Sequence, residues 1–168
     1  MKIRIFGCSG SGKSYLAEKI QKDFKIKHYD LDEIYWDTQA YPYQRRNDID
    51  REMMLNNIIM QKDWCIEGAY TSFAVETFSK ADYIIIIQKS KARCKLKVVI
   101  RYLKKKVGLE KGLKESLKDV KDMFRLINRF KNNTDFILKY LDENNLSYHI
   151  VKNYKDFKKV VKNNSDLT

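Results

Sequence analysis

The sequence predicts an α/β fold, a doubly wound five-stranded parallel sheet with helices on both faces. Three observations point to it. Short apolar strands alternate with helix-period segments along the chain. Trp64-Cys65-Ile66 and Tyr83 to Ile87 are apolar at every position, as strands covered on both faces are. Six Gly and one Pro in 168 residues are too few for a turn-dense all-β design. With 43% hydrophobic and 12% aromatic residues the chain has ample surface for a core, so residues 1–168 are expected to form one domain.

The elements follow in order. Lys2 to Phe6 alternates polar and apolar residues and ends at Gly7, which reads as a strand. Leu16, Ala17, Ile20 and Phe24 recur at helical spacing, so Ser14 to Phe24 is a helix. Ile26 to Tyr29 is a second strand, ending at Asp30-Leu31-Asp32. Asp48 to Gln61 reads as a helix with Met53, Met54, Ile58 and Ile59 inward. From Lys91 to about Tyr140 the pattern is helical, with breaks expected at Gly108 to Gly112 and near Asn132-Asn133. Tyr148 to Val151 supplies a last strand, and Phe157, Val160 and Val161 mark a terminal helix whose tail frays from Asn163. Residues 31–62 and 102–131 are excursions from the sheet.

The net charge is +12 and sits in one stretch. Residues 89–131 hold sixteen Lys or Arg against four Asp or Glu, and the rest of the chain is balanced. Such a block serves as a solvated helical face, as a lid over phosphate, or as a weak nucleic-acid surface. Ile84 to Ile87, the longest aliphatic run, is far shorter than the roughly 18 residues of a membrane span, so no membrane association is expected. Cys8, Cys65 and Cys94 are odd in number and lack metal-type spacing, which suits a reducing, cytoplasmic setting and no zinc site.

Gly7-Cys8-Ser9-Gly10-Ser11-Gly12-Lys13-Ser14 matches the phosphate-loop pattern G-x-x-x-x-G-K-[ST] in full, after a strand and before a helix. That placement lets backbone amides and the helix dipole converge on a nucleotide's phosphates. Lys13 is expected to reach the β- and γ-phosphates of ATP, and Ser14 to bind Mg²⁺. Cys8 is either a small filler in this loop or an oxidation-sensitive thiol whose pKa the helix N-terminus lowers, and no further role is assigned to it. No N-K-x-D guanine reader and no L-S-G-G-Q signature is present, which disfavours switches and transport motors.

Ligands in such sheets bind beyond the carboxyl ends of the strands, so acidic residues there come next. Asp30 and Asp32 end the second strand, where one carboxylate is expected to take the acceptor hydroxyl's proton or join the Mg²⁺ sphere and the other to hold the acceptor. The alternative is that one of them caps the following helix. Glu67, followed by Gly68, is expected to take the Walker-B-like role towards Mg²⁺, because the fourth strand ends in Gln88. Arg93, Lys97 and Arg101 share a helix face and are candidate clamps on the transferred phosphate. Tyr35, Trp36, Tyr41 and Tyr43 with Arg45 and Arg46 either stack on a base and hold a phosphate, or cover the sheet. His28 and His149 read as packed or surface histidines.

The phosphate loop, His28-Tyr29-Asp30-Leu31-Asp32-Glu33-Ile34-Tyr35-Trp36, Trp64 to Ser72 and Ala81 to Ile86 resemble the adenylate-kinase-like P-loop proteins often labelled DNA topology modulation proteins. The resemblance is strongest over about residues 1–103. It implies a three-layer, adenylate-kinase-like P-loop NTPase fold with sheet order 2-3-1-4-5, ATP binding, and a family label tied to DNA. Gln88 and Ser90 stand where that family usually has Asp and Pro, Ala69 where it has Asn, and a Pro-Lys-Arg run after Phe130 is missing. The expected activity is ATP- and Mg²⁺-dependent phosphoryl transfer to a small-molecule acceptor, a nucleoside or nucleoside monophosphate. Nucleotide-gated DNA binding without turnover is the alternative.

Overall fold

The computed structural model describes residues 1–37, 44–109 and 116–165. Strands β1 (Lys2–Phe6), β2 (His28–Asp30), β5 (Trp64–Glu67), β6 (Tyr83–Ile87) and β7 (Tyr148–Val151) form a parallel sheet in the order β2-β5-β1-β6-β7. Numbered within this sheet alone, the order is the expected 2-3-1-4-5. The helices are α1 (Lys13–Phe24), α2 (Leu31–Tyr35), α3 (Asp48–Ile59), α4 (Glu76–Ser79), α5 (Lys91–Lys106), α6 (Leu117–Glu143) and α7 (Tyr154–Ser165). A short antiparallel pair, β3 (Trp36–Asp37) with β4 (Gln44–Arg45), lies within the excursion after β2.

Alternation along each strand sends side chains to two cores. Ile3, Ile5, Cys65, Ile85 and Ile87 pack with Leu16, Ala17 and Ile20 of α1 and Phe157 of α7. Phe6, Ile84 and Ile86 pack on the opposite face against Phe78, Ile137 and Leu141. The polar positions of β1 do not mark a solvent face: Arg4 is fully buried in the second layer. Its guanidinium donates to the carbonyls of Ile5 at 2.7 Å and Tyr70 at 3.4 Å and lies over the Phe78 ring. Burial lowers its pKa to about 10, against the raising effect of Glu67.

Two expectations are corrected. Met53 is exposed, not inward: the buried stripe of α3 is Arg51, Leu55, Ile58 and Ile59, and Met53 lies off it. α6 runs unbroken through Asn132-Asn133. Each Asn costs under about 1 kcal/mol in a helix, whereas burying Ile127, Ile137 and Leu141 gains about 1.5–3 kcal/mol apiece. α7 runs to Ser165, the last described residue. The second strand begins at His28, leaving Ile26 to fill the α1-side core. The break after α5 includes Gly108, in a left-handed conformation, while Gly112 lies outside the described residues. Among the described residues, no helix is long and apolar enough to cross a membrane.

Candidate active site

Parallel register brings the site together. Glu67 ends β5 opposite Ile5 of β1 and Asp30 of β2, and His28 pairs with Cys65 two residues earlier. Paired residues in parallel strands share a sheet face, so His28, Asp30 and Glu67 point towards the α1 side with Ile5 and Cys65. Gly7 to Gly12 link β1 to α1, and Lys13 and Ser14 open that helix. Gly12 is its N-cap in a left-handed conformation, no side chain caps the first turn, and no acidic residue lies in it. A helix start of this kind suits an anion.

Gly10 is required twice over. Its φ is +76°, and a Cβ there would lie 2.3 Å from the carbonyl oxygen of Cys94 in α5. The phosphate loop and the first turn of α5 therefore touch backbone to backbone. Gly68 plays the matching part after β5, with a φ of +154° and no room for a Cβ beside Leu31.

Side chains of the first turn of α1 converge on Glu67. Ser14 Oγ donates to Glu67 Oε1 at 2.5 Å, and Lys13 Nζ lies 3.5 Å from Oε2 and 3.4 Å from the Cys8 carbonyl oxygen. Glu67 is 1% exposed, so this carboxylate is held by its partners and not by water. His28 Nε2 lies 3.9 Å from Glu67 Oε1. The sequence reading passed over His28, although it stands two residues before Asp30 on one strand, the spacing that puts both on one face.

Asp30 and Asp32 divide their tasks. Asp30 accepts from the Asp32 backbone N–H at 2.8 Å and so caps α2, the structural alternative, while its register also sets it beside Glu67. Burial first, then the charges of Glu67 and Asp32, push its carboxyl up to about 7. It lines a depression of about 280 Å³ with Tyr29, Glu33, Ile34, Met54, Asn57 and Ile58. Asp32 is exposed, and its carboxylate accepts from the Tyr70 hydroxyl at 2.7 Å. Burial and Asp32 raise the Tyr70 pKa, keeping it a donor.

The aromatic excursion packs on itself. Tyr35 stacks on Tyr70 with centroids 4.8 Å apart, and Arg51 lies over both Tyr35 and Phe73. Arg46 donates to the carbonyls of Ile34 and Trp36, and Arg45 pairs with Asp48. Tyr41 and Tyr43 lie outside the described residues. His149 is half-buried in β7, and burial lowers its pKa.

The three α5 cations differ in their surroundings. Arg93 and Lys97 are exposed, and Arg101 is half-buried with its guanidinium 3.0 Å from Met123 Sδ of α6. Ser90 caps α5 by accepting from the Arg93 N–H. Cys8 is buried against Cys94, and burial followed by that contact pushes its thiol up to about 12, which favours the filler reading over that of a thiol with a lowered pKa.

Hard oxygen donors suit Mg²⁺, which keeps several waters and takes few protein ligands. Ser14 and Glu67 offer such oxygens at the mouth of the loop. Among the described residues, no group of three or more His, Cys, Asp or Glu could cage a metal, so a cation here would share its shell with phosphate and water.

No protein-family model matches the sequence, and no curated protein matches it. Among solved structures, the deoxyadenosine kinase from M. mycoides with bound dATP is similar, with a TM-score of 0.58 and 13% sequence identity over 99% of this chain and 100% of that one. The likeness is one of fold: a doubly wound α/β parallel sheet with the P-loop NTPase strand order. The expected α/β class is therefore correct at the level of the whole chain.

Proposed function

We propose that this protein is a phosphotransferase that moves the γ-phosphoryl group of ATP to a hydroxyl of a small, uncharged acceptor of the nucleoside class. The observation that carries the reading is the meeting of Lys13, Ser14 and Glu67 at an uncapped helix start, with Asp30 on the neighbouring strand.

The loop amides and Lys13 would bind the β- and γ-phosphates, and Ser14 with Glu67 would hold Mg²⁺. When bound, the cation neutralises phosphate charge. Asp30, with its carboxyl near neutrality, would accept the proton of the acceptor hydroxyl as that oxygen bonds to phosphorus and the ADP oxygen departs. Asp32, steadied by Tyr70, would orient the acceptor. Arg93 or Lys97, free of the core, would supply positive charge on closure, while Arg101 would have to leave Met123 to do so.

The acceptor side favours a nucleoside over a nucleoside monophosphate. The cations of residues 31–62 are Arg45, Arg46, Arg51 and Lys62. Arg45 and Arg51 are paired with Asp48, and Arg46 is taken up by backbone carbonyls. The depression beside Asp30 adds Glu33 and no cation, a poor setting for an acceptor phosphate.

DNA tracking by residues 89–131 suits the surface less well. The outward face of α5 exposes Leu96, Ile100, Leu103 and Val107 between its cations, and apolar side chains give a phosphate backbone nothing to bind.

A panel of nucleosides and nucleoside monophosphates with labelled ATP and Mg²⁺ tests the reading. Phosphorylated nucleoside above a Lys13→Ala control is expected. No product from any acceptor would overturn it, and product from monophosphates alone would overturn the uncharged acceptor.

A further inference from the structure

We propose that Cys8 and Cys94 are a reversible oxidation site, at which a hydroperoxide drives a disulfide that staples the phosphate loop to the first turn of α5. The cross-link stands apart from the activity proposed above; only its consequence for the nucleotide rests on that reading.

The two sulfurs are 3.1 Å apart, although 86 residues separate them in sequence. Both thiols are free and buried, in a cluster with Val98, Val120 and Ile127. A disulfide is about 2.05 Å long, so the sulfurs must approach by only about 1 Å. The backbones already meet two residues along, at Gly10 and the Cys94 carbonyl, which holds the two segments together for that approach. Cys65 lies on the α1 side of the sheet in a different cluster and does not compete.

The chemistry balances with the oxidant named. Cys8 is 7% exposed and Cys94 fully buried, so Cys8 reacts first. Its thiol and the hydroperoxide give a sulfenic acid and an alcohol, the sulfur losing two electrons as the O–O bond breaks. The Cys94 thiol then attacks that sulfur, the S–S bond forms and water leaves. A dithiol reductant returns both electrons and both protons. Burial keeps Cys8 protonated, which makes this a slow sensor that answers sustained oxidant and not a brief pulse.

The consequence follows from what the staple joins. The Cys8 carbonyl accepts from the Ser11 N–H and from Lys13 Nζ, so this residue sets the loop's shape. α5 carries the exposed Arg93 and Lys97. A covalent tie at Cys94 would fix both the loop and the helix that carries those cations.

The test treats the full chain with tert-butyl hydroperoxide and follows intact mass, alkylatable thiols after denaturation, peptide mapping and binding of a fluorescent ATP analogue. The expected result is loss of two hydrogens, a Cys8–Cys94 peptide, Cys65 as the remaining alkylatable thiol, and analogue affinity lower by about tenfold or more, all reversed by dithiothreitol. Cys94→Ala, or Cys94→Ser should the first fold poorly, should prevent the cross-link and leave binding unresponsive to peroxide. Cys65→Ala should cross-link like the parent. Oxidation that stops at Cys8 as a sulfinic acid, or pairs Cys8 between molecules, would overturn the site. A Cys8–Cys94 bond that leaves analogue binding unchanged would overturn its control of the loop. If the reduced protein binds no ATP analogue, the proposed activity fails, while the peptide map still decides the cross-link.

Discussion

The hydroxyl of Ser14 donates to Glu67 Oε1 at 2.5 Å, joining the first turn of α1 to the end of the neighbouring strand β5. One carboxylate thereby organises both side chains that a bound nucleotide would need, since Lys13 Nζ lies 3.5 Å from its other oxygen. Glu67→Gln keeps the shape and removes the charge. Phosphoryl transfer should fall by about 10²-fold or more, with the Mg²⁺ midpoint shifted to higher concentration. A Mg²⁺ titration checks this, and an unchanged midpoint would remove Glu67 from the cation's surroundings.

Asp30 should make stability depend on pH in a definite direction. Its folded carboxyl titrates at about 7, above the ordinary 3.8. Below about pH 4 it is protonated in both states; between there and pH 7 the unfolded chain ionises first, so stability falls as pH rises. Asp30→Asn keeps the α2 cap and removes the titration. It should be more stable than the parent by about 1–3 kcal/mol at pH 8 and nearly equal at pH 4, while losing transfer. Thermal melts across that range decide it; a variant less stable at pH 8 contradicts the buried charge.

Gly10 and Gly12 separate packing from conformation. Both have positive φ, but only at Gly10 would a Cβ meet another segment. Gly12→Ala should cost about 1–2 kcal/mol for the left-handed backbone, and Gly10→Ala about 2–5 kcal/mol once the clash with Cys94 is added. Urea denaturation of the pair measures the gap. Equal costs would mean that α5 does not rest on the loop.

Tyr70→Phe removes the 2.7 Å bond to Asp32 while leaving the ring stacked on Tyr35. The bond is exposed, so stability should change by about 1 kcal/mol or less. If Asp32 orients the acceptor, acceptor KM should rise several-fold with kcat little changed. A fall in kcat at constant KM would instead place Tyr70 at the transferring phosphate.

How much was legible differs by element. Gly7 to Ser14 announce their loop because phosphate chemistry fixes residue types over eight consecutive positions. The all-apolar strands announce a sheet covered on both faces, while the strand order came only with the family resemblance. Local pattern failed where a tertiary neighbour outweighed it. Arg4 looked like one polar position of an alternating strand, but Phe78 and two carbonyls bury it. Asn132-Asn133 looked like a break, yet α6 carries them because its flanking apolar residues pack on the sheet. Met53 looked like a core residue until Arg51 took the inward stripe with the aromatic rings.

The sequence by itself determined the phosphate-loop motif and the class of fold, because both are written in contiguous residues and short periods. Only the tertiary structure decided which distant groups face one another: His28, Asp30 and Glu67 on one face, the raised carboxyl of Asp30, and Cys8 against Cys94. The physical reason is that strand register and helix docking are set by burial summed over the whole core. A pKa or a sulfur–sulfur contact depends on the few ångströms that those sums fix, and no local window of residues contains them.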